Sequence, residues 1–450
     1  MKLWQSVTRA LRATTAPATT QRRQLLTLAI ESSCDDTCVA ILEKKGQSAK
    51  LHFHKKITSD NRQFGGIHPS VAVASHTACL ANLVQESLGS LPAATRPEHL
   101  PPSPDVLSIP VTDGGVSYRV RPDFVTVTRG PGMTPSLSTG LNTAKGLSVA
   151  WQIPFLGVNH MQAHALTPRL VRALGPEGVD VPPEPAFPFL TLLVSGGHTL
   201  LVHSLSLCDH QILAQASNIA IGDLIDKCAR AILPPDLVAA QENVMYGPLL
   251  ESFAFPNGEM DYAYTAPKRR RDEIEPFESG HGWSLDPPLA GSRAMEYNFS
   301  SLNGAVMRIA GRETMEVSER QLLARATMKL AFEHLASRLC FFLSNNDVTQ
   351  AVKTLVVSGG VASNRFLMHV LRSILVARGF GEIDIIAPPP ALCTDNAAMI
   401  AWTGMEMFEA GYRTDLSVLA KRKWPIDTSQ EGGILGTDGW ININERAQTM

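Results

Sequence analysis

Apolar residues in this chain gather into short unbroken runs that end in small polar or glycine-rich tips. Residues 25–30 make one run, Glu31-Ser-Ser-Cys-Asp-Asp-Thr37 follows, and residues 38–42 make the next, which predicts a strand, a polar turn and a second strand. The same design returns at 189–202, where two apolar runs flank Ser195-Gly196-Gly197-His198. It appears a third time at 354–364, where a buried strand ends in Ser358-Gly359-Gly360 and enters a helix. Residues 124–128 read as another buried strand, leading through Arg129-Gly130-Pro131-Gly132 into a helix from about 137 to 151. Strand, glycine turn and helix together form a common anion-binding arrangement, because free N–H groups at a helix start point at the ligand. Further helices are predicted over 70–88, from 221 onward and from 246 onward.

Three stretches interrupt this order. Residues 91–118 and 176–188 are proline-rich and read as a surface insertion and a loop, and residues 254–297 read as a polar insertion. The glycine turn at 130–132 lacks the Gly-Lys-Ser/Thr ending of a P-loop. Neither Ser-Gly-Gly tip carries Gly-x-Gly-x-x-Gly with an acid about 20 residues later, which makes a simple dinucleotide-binding dehydrogenase the poorer reading. Two Ser-Gly-Gly strand ends in one half of the chain and a polar hairpin tip in the other suggest a duplicated nucleotide-clasping architecture. The glycines permit close approach of a ligand to the backbone.

Composition changes the picture in three places. At 450 residues and 44% hydrophobic, the chain can bury large cores and favours two or three domains. A net charge of −2 gives no global attraction to nucleic acid, so contacts with a polyanion must be local. The two basic runs that qualify are Lys268-Arg-Arg-Arg271 and Lys421-Arg-Lys423. The seven cysteines are scattered without zinc-ribbon spacing, which fits a reducing compartment, and no apolar run is long enough for a membrane span. Residues 1–23 carry Lys2, Arg9, Arg12, Arg22 and Arg23, many Ser and Thr, and no acid, which predicts a mitochondrial transit peptide.

The residues with the most chemical character are His160 and His164. On a helix they share one face at i and i+4, close enough for two imidazoles to bind one metal ion. Asp395, where a proline-rich turn feeds a helix, is the candidate third ligand. A His-Glu-x-x-His metalloprotease would use the residue after the first histidine as its base; here that residue is Met161. His198 and Asp36 are the candidate general bases.

Taken in order, Glu31-Ser-Ser-Cys-Asp-Asp-Thr37, Gly65-Gly-Ile-His-Pro69, Gly130-Pro-Gly132, His160-Met-Gln-Ala-His164, Leu193-Val-Ser-Gly-Gly-His-Thr199, Ser358-Gly-Gly-Val-Ala-Ser-Asn364 and Cys393-Thr-Asp-Asn396 resemble the tRNA N6-adenosine threonylcarbamoyltransferase family, in particular its mitochondrial branch. The resemblance implies an α/β, two-lobed actin-like, Hsp70-like and sugar-kinase-like fold, with ribonuclease-H-like mixed sheets flanked by helices. On that frame residues 24–152 would form an N-terminal lobe with its insertion at 91–118. Residues 153–390 would form a C-terminal lobe with its insertion at 254–297, and residues 391–450 would return to the N-terminal lobe.

The resemblance also implies transfer of a threonylcarbamoyl group from threonylcarbamoyl-AMP to N6 of the adenosine 3′ of the anticodon, in mitochondrial tRNAs reading codons that begin with A. By the motif match, His160, His164 and Asp395 would hold one divalent metal per subunit, with zinc and iron the leading choices. Leu193, Val194, Ser195, Gly196, Gly197, Asp226, Gly247 and Asn364 would bind the adenylate. The implied partners are tRNA, an upstream threonylcarbamoyl-AMP synthase and a second copy of the chain as a homodimer, in the mitochondrial matrix. The competing readings are a metalloprotease of glycoproteins, a sugar kinase or ATPase, and a non-catalytic nucleotide-binding scaffold. The chain departs from the family pattern at Gly222-Asp223, Gly247-Pro248, Ser301-Leu-Asn-Gly304 and Gln162.

Overall fold

The computed structural model describes residues 24–64, 66–94, 103–111, 114–175, 182–241, 245–312, 314–344 and 351–444. The expected leader at 1–23 lies outside the described residues, as do parts of the stretches 91–118 and 176–188.

The first of two large mixed sheets begins with β1 (Gln24–Glu31), β2 (Asp36–Lys45) and β3 (Ser48–Thr58). Helix α1 (Pro69–Leu88) follows, then a separate hairpin of β4 (Val106–Pro110) and β5 (Val116–Val120), and then β6 (Phe124–Gly130), α2 (Thr134–Trp151) and β7 (Phe155–Asn159). The sheet order is β3-β2-β1-β6-β7, antiparallel between the first three strands and parallel from β1 to β7. Strand β3 was not among the strands expected from the apolar runs. It is a half-exposed edge rich in Lys and His, so it carries no such run.

Helix α3 (His160–Ala173) leads into β8 (Phe189–Val194), β9 (Thr199–Ser204) and β10 (His210–Ala216), followed by α4 (Ile221–Ile232), α5 (Pro235–Ala239), α6 (Gly247–Ala254) and α7 (Arg270–Glu273). A small pair, β11 (Phe277–Glu278) and β12 (Ser284–Leu285), precedes β13 (Glu296–Tyr297), α8 (Ser300–Ala310), α9 (Val317–Leu343), β14 (Thr354–Ser358), α10 (Arg365–Ala377) and β15 (Asp384–Ile386). The second large sheet has the order β13-β10-β9-β8-β14-β15. The end of the expected polar insertion is therefore a sheet strand, β13, paired in parallel with β10.

Helices α11 (Pro390–Cys393) and α12 (Ala397–Glu409) and a small pair, β16 (Tyr412–Thr414) with β17 (Trp440–Asn442), complete the chain. This last segment packs on the first sheet, where Thr414 Oγ1 accepts from Gly157 N at 2.9 Å and Arg129 pairs with Asp438 at 2.8 Å.

The apolar runs are unbroken because both faces of each sheet are covered. Leu28 and Ile30 of β1 pack with Leu80, Leu83 and Leu141 of α1 and α2. Leu25 and Ala29, on the opposite face, join α3 and α12. In the second sheet Leu190, Leu192 and Val194 face α4, α8, α9 and α10, while Phe189, Leu193 and Val356 turn toward α3 and α12. Helices α3 and α12 thus form a shared inner layer between the sheets and are buried around almost their whole circumference. A histidine on α3 can only be interior.

Candidate active site

Asn159 starts α3, its side chain accepting from Met161 N at 3.0 Å and Gln162 N at 3.1 Å, which satisfies two of the helix's free donors. His160 and His164 follow on successive turns, their rings 4.7 Å apart and nearly perpendicular. Asp395 arrives from the turn between α11 and α12, ahead of Asn396, whose side chain caps α12 at Met399 N. One Asp395 oxygen lies 3.3 Å from His160 Nε2 and 3.1 Å from His164 Nε2. Donor atoms of all three residues fall within 4.8 Å of one another. The structure therefore brings the three sequence-predicted ligands together.

The tip of the β1–β2 hairpin closes the other side of His160. Its Nδ1 lies 3.2 Å from Glu31 Oε2 and 3.3 Å from Ser33 Oγ. Glu31 is itself held by Ser33 N at 2.6 Å and by the Thr128 hydroxyl. A carboxylate on Nδ1 fixes the ring's orientation and leaves Nε2 to face the Asp395 oxygen, as in carboxylate–histidine–metal relays. Burial works to lower the His160 value, but Asp395 and Glu31 outweigh it and push the imidazole up to about 10. Burial works in the opposite sense on Asp395, yet His160 and His164 hold its carboxyl well below the usual range. The buried Glu31 and the part-buried Asp395 thus demand positive charge at this point. The donor set, two imidazoles and a carboxylate, fits a divalent ion of the zinc, iron or manganese kind.

The two candidate bases are placed differently. Asp36 begins β2 and is bound by Lys56 Nζ at 3.1 Å and Thr58 Oγ1 at 2.5 Å, and burial raises its carboxyl. His198 sits at the exposed β8–β9 tip, where desolvation and then the neighbouring His160 lower it to about 4, which keeps the ring neutral and makes it a weak base.

The nucleotide candidates divide into backbone and side chain. Leu193 and Val194 are core residues, so only their backbone could meet a ligand. Ser195 Oγ accepts from His198 N at 3.0 Å, which shapes the tip. Gly196 and Gly197 are exposed, with nothing within 4 Å of the place a Cβ would occupy. Strands β8 and β14 pair in parallel, Leu193 opposite Ser358, so both Ser-Gly-Gly tips emerge side by side. Gly359, at φ +100°, lies so close to Val194 O that a Cβ would overlap it. Its N–H donates to Cys393 O at 3.1 Å, which ties the second tip to the turn carrying Asp395.

Helix α4 docks on the first tip through Gly222 N to Ser195 O at 3.1 Å, placing Asp226 one turn further on. Asp226 Oδ1 accepts from Tyr246 N at 2.7 Å and Gly247 N at 3.0 Å, joining two predicted residues at the start of α6. Asn364 caps α10 by accepting from Leu367 N at 2.9 Å.

The turn at 130–132 corrects one expectation. Gly132 N donates to Arg422 O at 3.3 Å and Met133 N to Ser33 O at 2.8 Å, so donors expected to face an anion are spent inside the protein.

The comparisons bear on this geometry directly. A sequence model described as tRNA N6-adenosine threonylcarbamoyltransferase matches residues 120–402. The chain is also 35% identical over 435 residues to the mitochondrial tRNA N6-adenosine threonylcarbamoyltransferase of Schizosaccharomyces pombe, covering 93% of this chain and 90% of that one. The chain belongs to the tRNA N6-adenosine threonylcarbamoyltransferase family. A bacterial member of the family, from Brucella anthropi, is 31% identical over 418 residues, covering 91% of this chain and 97% of its own. Another, from Novosphingobium aromaticivorans, is 29% identical over 406 residues, covering 89% and 96%.

In this threonylcarbamoyltransferase-family chain, sequence reasoning missed Glu31 and Ser33 as the partners of His160. It also missed Lys56, which bonds both Asp36 and the Thr394 hydroxyl beside Asp395, each at 3.1 Å. The available signal was a run of polar residues closing a buried strand.

Proposed function

We propose that the chain transfers the threonylcarbamoyl group from threonylcarbamoyl-AMP to N6 of the adenosine 3′ of the anticodon in mitochondrial tRNAs reading codons that begin with A. The observation that carries this reading is the convergence of His160, His164 and Asp395 within 4.8 Å, with the second Ser-Gly-Gly strand end bonded to the Asp395 turn and the first lying beside it. Family membership supplies the reaction class. The donor is already an activated acyl adenylate, so no nucleophilic side chain is needed. The N6 nitrogen bonds to the carbamoyl carbon, the bond from that carbon to the phosphate oxygen breaks, AMP departs and the amine gives up a proton.

The protein's own part is to hold donor and acceptor in line and keep competing water out. In this reading Gly196 and Gly197 admit the adenylate to the backbone, and Leu193, Val194, Ser195, Asp226, Gly247 and Asn364 shape its pocket. His160, His164 and Asp395 hold the divalent cation, zinc or iron first among the candidates. When bound, the cation would contribute Lewis-acid stabilisation of charge developing on the substrate's oxygens. Of the two candidate proton acceptors, His198 is exposed at the β8–β9 tip, whereas Asp36 is engaged by Lys56 and Thr58.

The two sheets with α3 and α12 between them support a two-lobed actin-like fold divided near residues 152 and 390. Mitochondrial placement follows the name of the Schizosaccharomyces pombe relative and the leader's composition, and the matrix, homodimerisation and an upstream threonylcarbamoyl-AMP synthase are part of the same proposal. The metalloprotease reading fares worse, because Met161 in the base position is 4% exposed and packed in the inner layer.

Reconstitution tests the proposal. The purified chain, a threonylcarbamoyl-AMP-generating enzyme, threonine, bicarbonate, ATP and mitochondrial tRNA should yield threonylcarbamoyladenosine by mass spectrometry, and His160→Ala should abolish it. A wild-type chain that binds tRNA and metal without forming product would favour the scaffold reading. His198→Ala should abolish turnover while metal and adenylate still bind; retained turnover would remove it as the base.

A further inference from the structure

Two basic runs were candidates for contact with a polyanion, and the structure separates them. In the first, Arg270 pairs with Glu273 at 3.0 Å and donates to Ala290 O at 2.8 Å, while Lys268, Arg269 and Arg271 are exposed; what sets the runs apart is their place in the fold. The second run lies along the active-site scaffold. Lys421 N donates to Arg129 O at 2.8 Å, Arg422 O accepts from Gly132 N at 3.3 Å, and Trp424 O accepts from Asn159 Nδ2 at 3.1 Å. Residues 421–424 thus run from the glycine turn to the residue that caps the histidine-bearing helix.

The glycine turn exists to allow this packing. A Cβ on Gly132 would stand 2.6 Å from Ser33 O, and one on Gly130 would overlap Lys421 O. Ser33 in turn is 3.3 Å from His160 Nδ1. From the strip, contacts run through Gly132 to Ser33 of the hairpin tip and so to His160.

Its charges are unequally used. Asp438 takes Lys421 at 2.7 Å and Arg129 at 2.8 Å, and Trp424 is 2% exposed. Arg422 and Lys423 are exposed, and among the described residues neither has an ion-pair partner. A main chain anchored at 421, 422 and 424 carries two exposed cations that have no ion-pair partner among the described residues, in a chain whose net charge is −2. Neither cation holds the fold through an ion pair, and neighbouring cationic side chains on an anchored backbone are suited to contact the phosphates of a nucleic acid.

We propose that Arg422 and Lys423 bind backbone phosphates of the tRNA flanking the target adenosine, and so set how the anticodon arm enters the site. This rests on the transferase reading above. Phosphate contacts position the RNA without reading its sequence, so the effect should fall on tRNA affinity and leave threonylcarbamoyl-AMP untouched.

The test is a salt series of tRNA binding by fluorescence anisotropy, with steady-state kinetics, on the full chain and on Arg422→Ala/Lys423→Ala. Loss of two phosphate contacts should flatten the log–log salt slope by roughly 1.4 to 1.8 and weaken binding roughly tenfold at low salt. The KM for tRNA should rise in step, with kcat at saturating tRNA and the KM for threonylcarbamoyl-AMP unchanged. The exchange Arg422→Lys/Lys423→Arg should restore the slope, and Arg269→Ala/Arg271→Ala should leave it alone. An unchanged slope in the double alanine variant, or an equal change in the Arg269/Arg271 control, overturns the assignment while the wild type still modifies tRNA. A wild type that neither binds nor modifies tRNA overturns the transferase reading as well.

Discussion

The proposed metal end and the proposed nucleotide end of the site are built on opposite rules. At the metal end, functional side chains converge from the hairpin tip, α3 and the Asp395 turn, and their polar atoms face one another. At the nucleotide end, the polar side chains are already engaged in the fold: Asp226 holds the start of α6 and Asn364 caps α10. There the open surface is glycine backbone. A substitution at the metal end should therefore remove chemistry and spare the fold, whereas one at the nucleotide end should cost stability first.

The largest expected effect tests the first half of that contrast. Asp395→Ala or His164→Ala should lower kcat/KM about a thousandfold, about 4 kcal/mol of transition-state stabilisation, with the thermal midpoint little changed and bound metal lost by elemental analysis. Retained metal would show that a different donor set holds it. Next, Glu31→Gln, which keeps the shape and removes the charge on His160 Nδ1, should weaken metal affinity by about 10- to 100-fold in competition with a chelator.

On the nucleotide side, Gly359→Ala must overlap Val194 O at positive φ and should cost about 1–3 kcal/mol in denaturant unfolding, with loss of adenylate binding following from the distorted tip. Asn364→Ala removes a helix cap and should cost about 1 kcal/mol; an unchanged midpoint together with lost adenylate binding would transfer Asn364 to the ligand side of the comparison.

The smallest effect is a pH dependence. Burial pushes the Asp226 carboxyl up to about 6 in the folded chain. Between its ordinary value and that point the folded chain keeps a proton that the unfolded chain releases, so stability should decline as pH rises through the window. Asp226→Asn, which preserves an acceptor for Tyr246 N and Gly247 N, should flatten the decline in a pH series of thermal midpoints.

Much of the architecture was legible in advance because it is local. Strands buried on both faces are written as largely apolar runs, broken at most by a buried Thr such as Thr27, Thr126 or Thr191, and β1, β2, β6, β8, β9 and β14 were legible that way. Strand β3 escaped because an exposed edge needs no such run, and β13 because two residues make no pattern. The i and i+4 histidines were legible for the same reason, since helical spacing alone puts them on one face.

Other features had no local trace. Glu31 reaches His160 across 129 residues of sequence, and His164 reaches Asp395 across 231. The two basic runs looked equivalent as strings, and each gives one cation to an ion pair, Arg270 to Glu273 and Lys421 to Asp438, but the second lies beside the hairpin tip. By itself the sequence determined the strands, the histidine spacing and the glycine tips, because backbone periodicity and local sterics act between near neighbours. Tertiary structure alone decided which polar groups are spent and which remain for a ligand: a carboxylate or an arginine is defined by the charge packed against it, and that partner comes from anywhere in the chain.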